Sequence, residues 1–136
     1  KTDKEYFALV FGELSAEKGR VDKPIGRHPK NRTRMAVVEH GKSALTEWET
    51  IRTYQGSFSF LRVKIHTGRT HQIRVHLSFL GHPLAGDLTY GAKNHPDFNR
   101  VMLHAHCLKL THPVSAEQLT FRAELPLDFE TCLQLL

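Results

Sequence analysis

Cysteines are few in this sequence, and long apolar runs are missing from it. Cys107 and Cys132 stand far apart, which gives neither a disulfide framework nor the paired spacing of a zinc site. No apolar run approaches the length that crosses a bilayer, and the charged start KTDKEYFALVFG lacks the apolar stretch of a signal peptide. We therefore expect reduced thiols, no membrane partner and a cytoplasmic location.

The charge of the chain is biased toward basic residues. Lys and Arg number 19 against 14 Asp and Glu in 136 residues, a net charge of +5 at pH 7. The 40% hydrophobic and 24% charged composition is ordinary for one domain with a modest core. The positive charge favours a polyanion such as nucleic acid as partner, but it does not select one.

The spacing of apolar residues predicts a fold made mostly of strands. Strands are predicted at residues 6–12, 35–39, 44–54, 58–66, 103–110 and 118–123. The second, third and fourth of these segments are predicted to form an antiparallel meander. In the fourth, Leu61, Val63 and Ile65 alternate with polar or aromatic residues, and we expect this aliphatic face to be inside.

Two helices are also predicted. From Thr70, which suits an N-cap, apolar residues recur at helical spacing as far as Gly81, over about three turns. Residues 84–91, LAGDLTYG, are predicted to be a turn-rich loop. A short amphipathic helix is predicted over residues 129–136.

The segment TGRTHQIRVH, residues 67–76, spans the predicted junction between a strand and the first helix. Backbone N–H groups at such a junction, with Arg69 beside them, form a corner suited to an anion. His71, Arg74 and Ser78 share one face of the helix, next to its apolar face. Arg74 can there orient a carboxylate and keep it ionised, although the spacing alone favours an ordinary arginine on the helix surface.

Residues 23–34, KPIGRHPKNRTR, combine two prolines and a glycine with a run of basic residues. This composition predicts an exposed basic loop and not a buried element. Its basic side chains, which could contact RNA phosphates, are Arg27, His28, Lys30, Arg32 and Arg34. A solvated charged turn explains the same residues as well as a contact surface does.

The segment TGRTHQIRVHLSFLGHPLAGDLTYG, residues 67–91, closely resembles the signature of the RluA-type RNA pseudouridine synthases. KEYFALVFG at 4–12, GKSALTEWE at 41–49 and VMLHAHCLKLTHP at 101–113 resemble further motifs of that family, so nearly the whole chain is covered. The resemblance implies an α+β fold with a mixed, largely antiparallel sheet and a few helices. It also implies isomerisation of uridine to pseudouridine in RNA, most often large-subunit ribosomal RNA and in some relatives transfer RNA, without cofactor or metal.

The resemblance carries over to particular residues. Tyr6 matches the tyrosine that packs on the target uracil, and its hydroxyl could assist removal of the proton at carbon 5. Arg74 matches the arginine that pairs with the catalytic aspartate, and Leu103 matches an apolar wall of the pocket. With Arg69 and His71 as substrate-binding residues, these side chains would receive a base flipped out of the RNA.

The catalytic aspartate of the family belongs to an H-R-L-D motif, which this sequence lacks. The aspartates present are Asp3, Asp22, Asp87, Asp97 and Asp128, and none stands in that context. Asp87 matches a separate, structural aspartate of the family. We therefore expect residues 1–136 to be the C-terminal portion of a catalytic domain, without the N-terminal S4 RNA-binding domain of some relatives, and to be inactive alone.

Two rival functions compete with the synthase. A noncatalytic basic RNA-binding module would use the loop at residues 27–34 for phosphates and carry out no reaction. A zinc site could use His104 and His106, which alternation places on one face of a strand, if a third ligand such as His71, His76 or His112 converged on them. Two ligands do not make a zinc site, so we predict no metal.

Overall fold

A computed structural model describes residues 2–111 and 114–136, with no description of the Thr2 side chain. Within these ranges the chain forms strands and helices in the order β1 (Thr2–Phe11), β2 (Lys18–Asp22), β3 (Ile25–Arg27), β4 (Met35–Val37), β5 (Leu45–Tyr54), β6 (Phe58–Ile65), α1 (Gln72–Phe79), β7 (Leu103–Thr111), β8 (Gln118–Arg122) and α2 (Leu127–Gln134). A short 3-10 helix at Leu88–Tyr90 lies inside the predicted loop at 84–91. None of the described helices is both long and apolar enough to cross a membrane.

The described strands form two sheets. The larger has the order β2-β5-β6-β1-β7-β8, and β3 pairs with β4 in a separate two-stranded sheet. Each of these described pairings is antiparallel. The predicted α+β class with a largely antiparallel sheet is therefore confirmed.

The long strand β1 lies in the middle of the larger sheet and carries core residues on both faces. Ala8 and Val10 pack on one face, in the cluster that includes Leu77 of α1. Leu9 packs on the other face with Phe129 of α2. A strand buried on both faces needs apolar residues at consecutive positions, which the run at residues 7–11 supplies.

The prediction for the inner face of β6 is also confirmed. Leu61, Val63 and Ile65 are all buried, and they belong to the cluster beneath α1. The opposite face of β6 is not wholly solvent-exposed, because Phe58 is buried in the cluster beneath α2. Both helices thus pack against the central strands, one on each face.

The three-stranded meander was wrong in its first strand. β5 and β6 pair as predicted, but β4 pairs with β3 and not with β5. The prediction of an exposed loop over 23–34 was correspondingly wrong for Ile25, which is buried in a small cluster with Ala44 and Val75. Backbone contacts between Ile25 and Lys42 in both directions, at 2.9 and 2.8 Å, hold the hairpin in place and could not be read from local spacing.

The first helix is shorter than predicted. α1 begins at Gln72, after an N-cap at His71, so Thr70 is not the capping residue. Its eight residues make about two turns and not three. Gly81 does adopt the expected left-handed conformation, with φ of 88°.

A buried histidine ties α1 to the sheet. His76 is fully buried, with Nδ1 2.7 Å from the Thr46 hydroxyl and Nε2 2.9 Å from the Lys23 carbonyl oxygen. The carbonyl can only accept, so the proton of the neutral ring lies on Nε2 and the hydroxyl donates to Nδ1. Burial lowers the pKa of His76, against the smaller opposing effects of the Lys23 carbonyl and Asp22.

This burial predicts a stability that depends on pH. Because the folded state lowers the pKa of His76 below its ordinary value of 6.5, the unfolded chain takes up the proton more readily. Stability should be constant above about pH 6.5 and fall as the pH drops toward the lower pKa of the folded protein. Melting temperatures at pH 8 and pH 5.5 measure this difference.

Substitution identifies the group responsible for this pH dependence. His76→Gln should lower the melting temperature at pH 8 but make it less dependent on pH, because an amide has no proton to take up in this range. His40→Gln, at an exposed position, is the matched control and should keep the pH dependence of the wild type. An unchanged pH dependence in His76→Gln would contradict the assignment.

Candidate active site

The turn between β6 and α1 is fixed by one side-chain amide. Gln72 is buried, and its Nε2 donates to the Leu45 carbonyl and the Thr46 hydroxyl at 2.9 and 3.0 Å. Its Oε1 accepts from the Thr67 hydroxyl at 2.7 Å and from the Arg69 backbone N–H at 3.1 Å. All hydrogen-bonding positions of the amide are thereby used. The backbone at Arg69 is consequently held in one place relative to the sheet.

His71 occupies an unusual backbone conformation in this turn. Its φ and ψ are 56° and 25°, the left-handed region, which costs a residue with a side chain about 1 kcal/mol or more. Its Nδ1 lies 2.7 Å from the hydroxyl of Tyr90. Partial burial, followed by the charge of Arg74, lowers the pKa of His71 and favours the neutral ring that accepts from that hydroxyl. Tyr90 thus supports the strained residue.

Tyr90 is the residue on which the polar face of α1 rests. Its side chain is buried, and the predicted shared face of His71, Arg74 and Ser78 contacts it at every position. The guanidinium carbon of Arg74 lies 4.9 Å from the ring centroid, and the Ser78 hydroxyl donates to the Tyr90 carbonyl at 2.6 Å. The hydroxyl of Tyr90 also accepts the backbone N–H of Met35 in β4 at 3.0 Å. One aromatic side chain therefore connects α1 to the hairpin of β3 and β4.

The partner of Arg74 within the described chain is Asp87. Nε and Nη2 of Arg74 each donate to one carboxylate oxygen at 2.9 Å, a bidentate pair. The Asp87 side chain is 0% exposed and that of Arg74 is 21% exposed, so the pair is largely shielded from solvent. The hydrogen bonds with Asp87 raise the pKa of Arg74 further, so the guanidinium stays charged.

Arg74 lines a cavity of about 260 Å³, which we call the candidate active-site cavity. It brings together five residues predicted from sequence: Tyr6, Arg69, His71, Arg74 and Leu103. Strand β1 contributes Tyr6, which is paired with Val63 on one side and Ala105 on the other, next to a bulge at Glu5. The cavity therefore combines an aromatic ring, an apolar wall and two guanidinium groups.

The basic loop divides into outward and inward side chains. Lys30 and Arg32 are exposed, and Arg27 donates from Nη1 to the Arg32 carbonyl at 3.0 Å. Arg34 instead packs over the Tyr90 ring at 5.1 Å and donates to the Thr89 carbonyl at 3.0 Å. A role for Arg34 in RNA binding stays a prediction, and the structure adds contacts that join the loop to Thr89 and Tyr90.

Sequence reasoning missed three residues at this place. Lys4 lines the candidate active-site cavity but stands in a motif noticed only for its tyrosine. Gln72 and Tyr90 lie within the signature segment. An amide in the first turn of a helix, such as Gln72, and an aromatic residue between two glycines, such as Tyr90, do not indicate a specific role from sequence alone. Their importance depends on contacts with residues distant in sequence, which local spacing does not encode.

The histidines considered for zinc have other contacts. Nε2 of His104 lies 3.2 Å from the Ala123 carbonyl, and Nε2 of His106 lies 2.9 Å from a carboxylate oxygen of Glu5. His106 also stacks on Phe7, with ring centroids 4.0 Å apart. His112 lies outside the described residues. His104 and His106, both in β7, thus contact a backbone carbonyl, a carboxylate and an aromatic ring of neighbouring residues.

Comparison with known proteins gives the class. Residues 1–79 match the family model for RNA pseudouridylate synthase. A solved structure, Human RNA Pseudouridylate Synthase Domain Containing 1, superposes with a TM-score of 0.81 at 33% identity, over 96% of this chain and 58% of that one. Human RNA Pseudouridylate Synthase Domain Containing 4 shares the fold, with a TM-score of 0.76 at 24% identity over 98% of this chain and 61% of that one. The fold is therefore that of the RNA pseudouridylate synthases.

The curated relatives agree with this class. A protein of Nitrosomonas europaea named Ribosomal large subunit pseudouridine synthase D is 47% identical over 96% of this chain and 40% of its own length. The protein of the same name from Pasteurella multocida is 41% identical over 95% of this chain and 43% of its own length. The chain belongs to the RNA pseudouridylate synthase family, which confirms the resemblance, and it spans about two fifths of the length of these relatives.

Removal of the buried charge at Asp87 should destabilise the protein. Asp87→Asn removes the anionic partner that the largely buried Arg74 guanidinium has among the described residues, and breaking such a pair costs about 3 kcal/mol. Urea unfolding of the variant and of the wild-type protein measures the loss. The matched control is Asp128→Asn, which breaks the exposed bidentate pair with Arg100. Equal losses in the two variants would contradict a structural role for the Arg74–Asp87 pair.

Proposed function

We propose that the protein isomerises uridine to pseudouridine in RNA, with the reaction in the cavity of Tyr6, Arg74 and Leu103. The observation that supports this most is the convergence, in a member of this family, of a tyrosine, a charged arginine and an apolar wall on one cavity. In the reaction the bond from ribose carbon 1′ to ring nitrogen 1 breaks, and a bond to ring carbon 5 forms. The proton at carbon 5 leaves, and nitrogen 1 ends protonated.

Each residue type suits one part of this reaction. The ring of Tyr6 is proposed to pack against a flipped uracil. Its hydroxyl is proposed to assist removal of the proton at carbon 5. Leu103 supplies an apolar wall that keeps water from the reacting bond. Arg69 and His71, on the cavity wall, are proposed to bind the nucleotide backbone.

Arg74 is proposed to hold the catalytic aspartate while Asp87 holds Arg74. Asp87 uses the Nε and Nη2 side of the guanidinium, which leaves the edge between Nη1 and Nη2 for a second carboxylate. An arginine that pairs with a carboxylate keeps the carboxylate ionised and oriented. Because no aspartate of this sequence stands in an H-R-L-D context, the proposal takes that aspartate from outside residues 1–136 and treats them as the C-terminal portion of a catalytic domain.

The substrate is proposed to be large-subunit ribosomal RNA in the cytoplasm. Relatives that are 41–47% identical carry that substrate in their names, and the basic side chains at Arg27, Lys30 and Arg32 suit a polyanion. Transfer RNA is the second substrate to test. The proposal needs no metal or cofactor, since its steps use only protein side chains and RNA.

Tritium release from RNA labelled at carbon 5 of uridine tests the proposal. A protein extended upstream through the expected aspartate should release tritium from ribosomal RNA, and the 136-residue chain should not. Arg74→Ala in the extended protein should lower kcat by roughly 10²–10⁴-fold, the range for loss of a positioned catalytic group. If neither protein releases tritium from ribosomal or transfer RNA, the noncatalytic RNA-binding module becomes the better account.

The two functions of Tyr6 can be separated by substitution. Tyr6→Phe keeps the ring but loses the hydroxyl, so kcat should fall while KM stays near the wild-type value. Tyr6→Leu also loses the aromatic face and should raise KM in addition. Initial rates of tritium release by the extended protein, with RNA in excess and at varied concentration, give both constants. Full activity of Tyr6→Phe would show that the hydroxyl takes no part in proton removal.

A further inference from the structure

A second cavity adjoins the candidate active-site cavity. Its volume is about 400 Å³, and the two cavities share Gly68 and Arg69 as lining residues. The hairpin of β3 and β4, the segment from His40 to Lys42 and the turn before α1 form its walls. Arg69 is therefore a wall residue of both cavities.

The residues lining this second cavity favour an anion with a flat apolar part. Three cations, Arg27, Lys42 and Arg69, line it, and none of the described residues lining it is acidic. Buried Ile25 and half-buried Met35 supply apolar surface. Cations beside apolar surface, in a cavity within the size range of small-ligand pockets, suit a nucleotide: a phosphate and a planar base.

The walls of this cavity are held in place without a ligand. A Cβ at Gly41 would lie 2.5 Å from the backbone carbon of Ile25, so only glycine permits the close approach of these two segments. The N–H of Gly41 donates to Val38 at 3.0 Å, and Lys42 and Ile25 exchange backbone hydrogen bonds. A preformed cavity lowers the ordering cost of binding.

Arg69 stands where the two cavities meet. Its Nε donates to the Ser43 carbonyl at 2.8 Å, and its backbone N–H is held by Gln72. The side chain is thereby held at its backbone and at Nε, and Arg69 lines both cavities. Consecutive nucleotides of RNA are joined by one phosphate, and a fixed guanidinium is suited to bind it.

We propose that the second cavity binds the nucleotide adjacent to the target uridine, with Arg69 on the phosphate between the two. This inference rests on the proposed function, because it places the target uridine in the candidate active-site cavity. Lys42 is assigned to the outer phosphate of the adjacent nucleotide. The protein would then recognise two consecutive nucleotides and not an isolated flipped base.

Binding of RNA to the full-length protein that contains this chain tests the proposal. Fluorescence anisotropy gives Kd for a short ribosomal RNA fragment with the target uridine, and for versions with a neutral methylphosphonate at each flanking position in turn. Lys42→Gln should weaken binding of the unmodified RNA about tenfold and lower the slope of log Kd against log salt by about one. Backbone bonds hold Lys42, so the substitution leaves the fold intact.

With a methylphosphonate at one of the flanking positions, Lys42→Gln and wild type should have the same Kd. The neutral group removes the phosphate charge that Lys42 would otherwise contact. Removal of the base of the nucleotide that adjoins the target uridine, on the flank where the methylphosphonate has this effect, should also weaken RNA binding by the wild type. Lys42→Arg should restore binding. The matched control, Lys109→Gln, removes an exposed charge on β7 and should bind as wild type does.

The proposal is overturned if Lys42→Gln binds as Lys109→Gln does, or if no single flanking phosphate couples to Lys42. Tritium release on the same proteins separates this result from failure of the proposed function. Release without coupling leaves the synthase in place and contradicts the second nucleotide site. Coupling without release supports the two-nucleotide site and contradicts the isomerisation.

Discussion

The side-chain amide of Gln72 is the constraint on which the rest of the cavity depends. Its four hydrogen bonds join the end of β6, the start of β5 and the first turn of α1. Satisfied buried polar groups are specific in direction, and each lost partner costs about 1–3 kcal/mol, so the turn has one stable geometry. That geometry sets the direction of α1 and hence the position of Arg74 and of the fixed Arg69.

A second set of contacts converts this fixed turn into a charged site. Tyr90 receives the polar face of α1, and Asp87, three residues earlier, pairs with Arg74. The buried carboxylate occupies one edge of the guanidinium and leaves the other for a ligand or a second carboxylate. Tyr90 also contacts Arg34 and Met35, and it thereby links the hairpin of β3 and β4 to the helix that carries Arg74.

Much of the fold could be predicted from sequence because alternation and helical spacing are local. The inner face of β6 and the shared face of His71, Arg74 and Ser78 follow directly from them. The pairing of β4 with β3 could not be predicted, because it depends on the close approach of Gly41 to Ile25. The N-cap was misplaced because the Gln72 amide, and not Thr70, holds the first turn. The roles of Tyr6, Arg74 and Leu103 came from the family resemblance, and they stay predictions.

The central claim is that a flipped uracil lies against Tyr6 with Arg74 shared between Asp87 and the catalytic aspartate. A crystal structure of the full-length protein with RNA carrying 5-fluorouridine at the target position tests it most directly, since fluorine at carbon 5 cannot leave as a proton. The account predicts the ring in the cavity of Tyr6 and Leu103, and two carboxylates on the Arg74 guanidinium. A target base bound elsewhere, or a catalytic carboxylate without contact to Arg74, would contradict it.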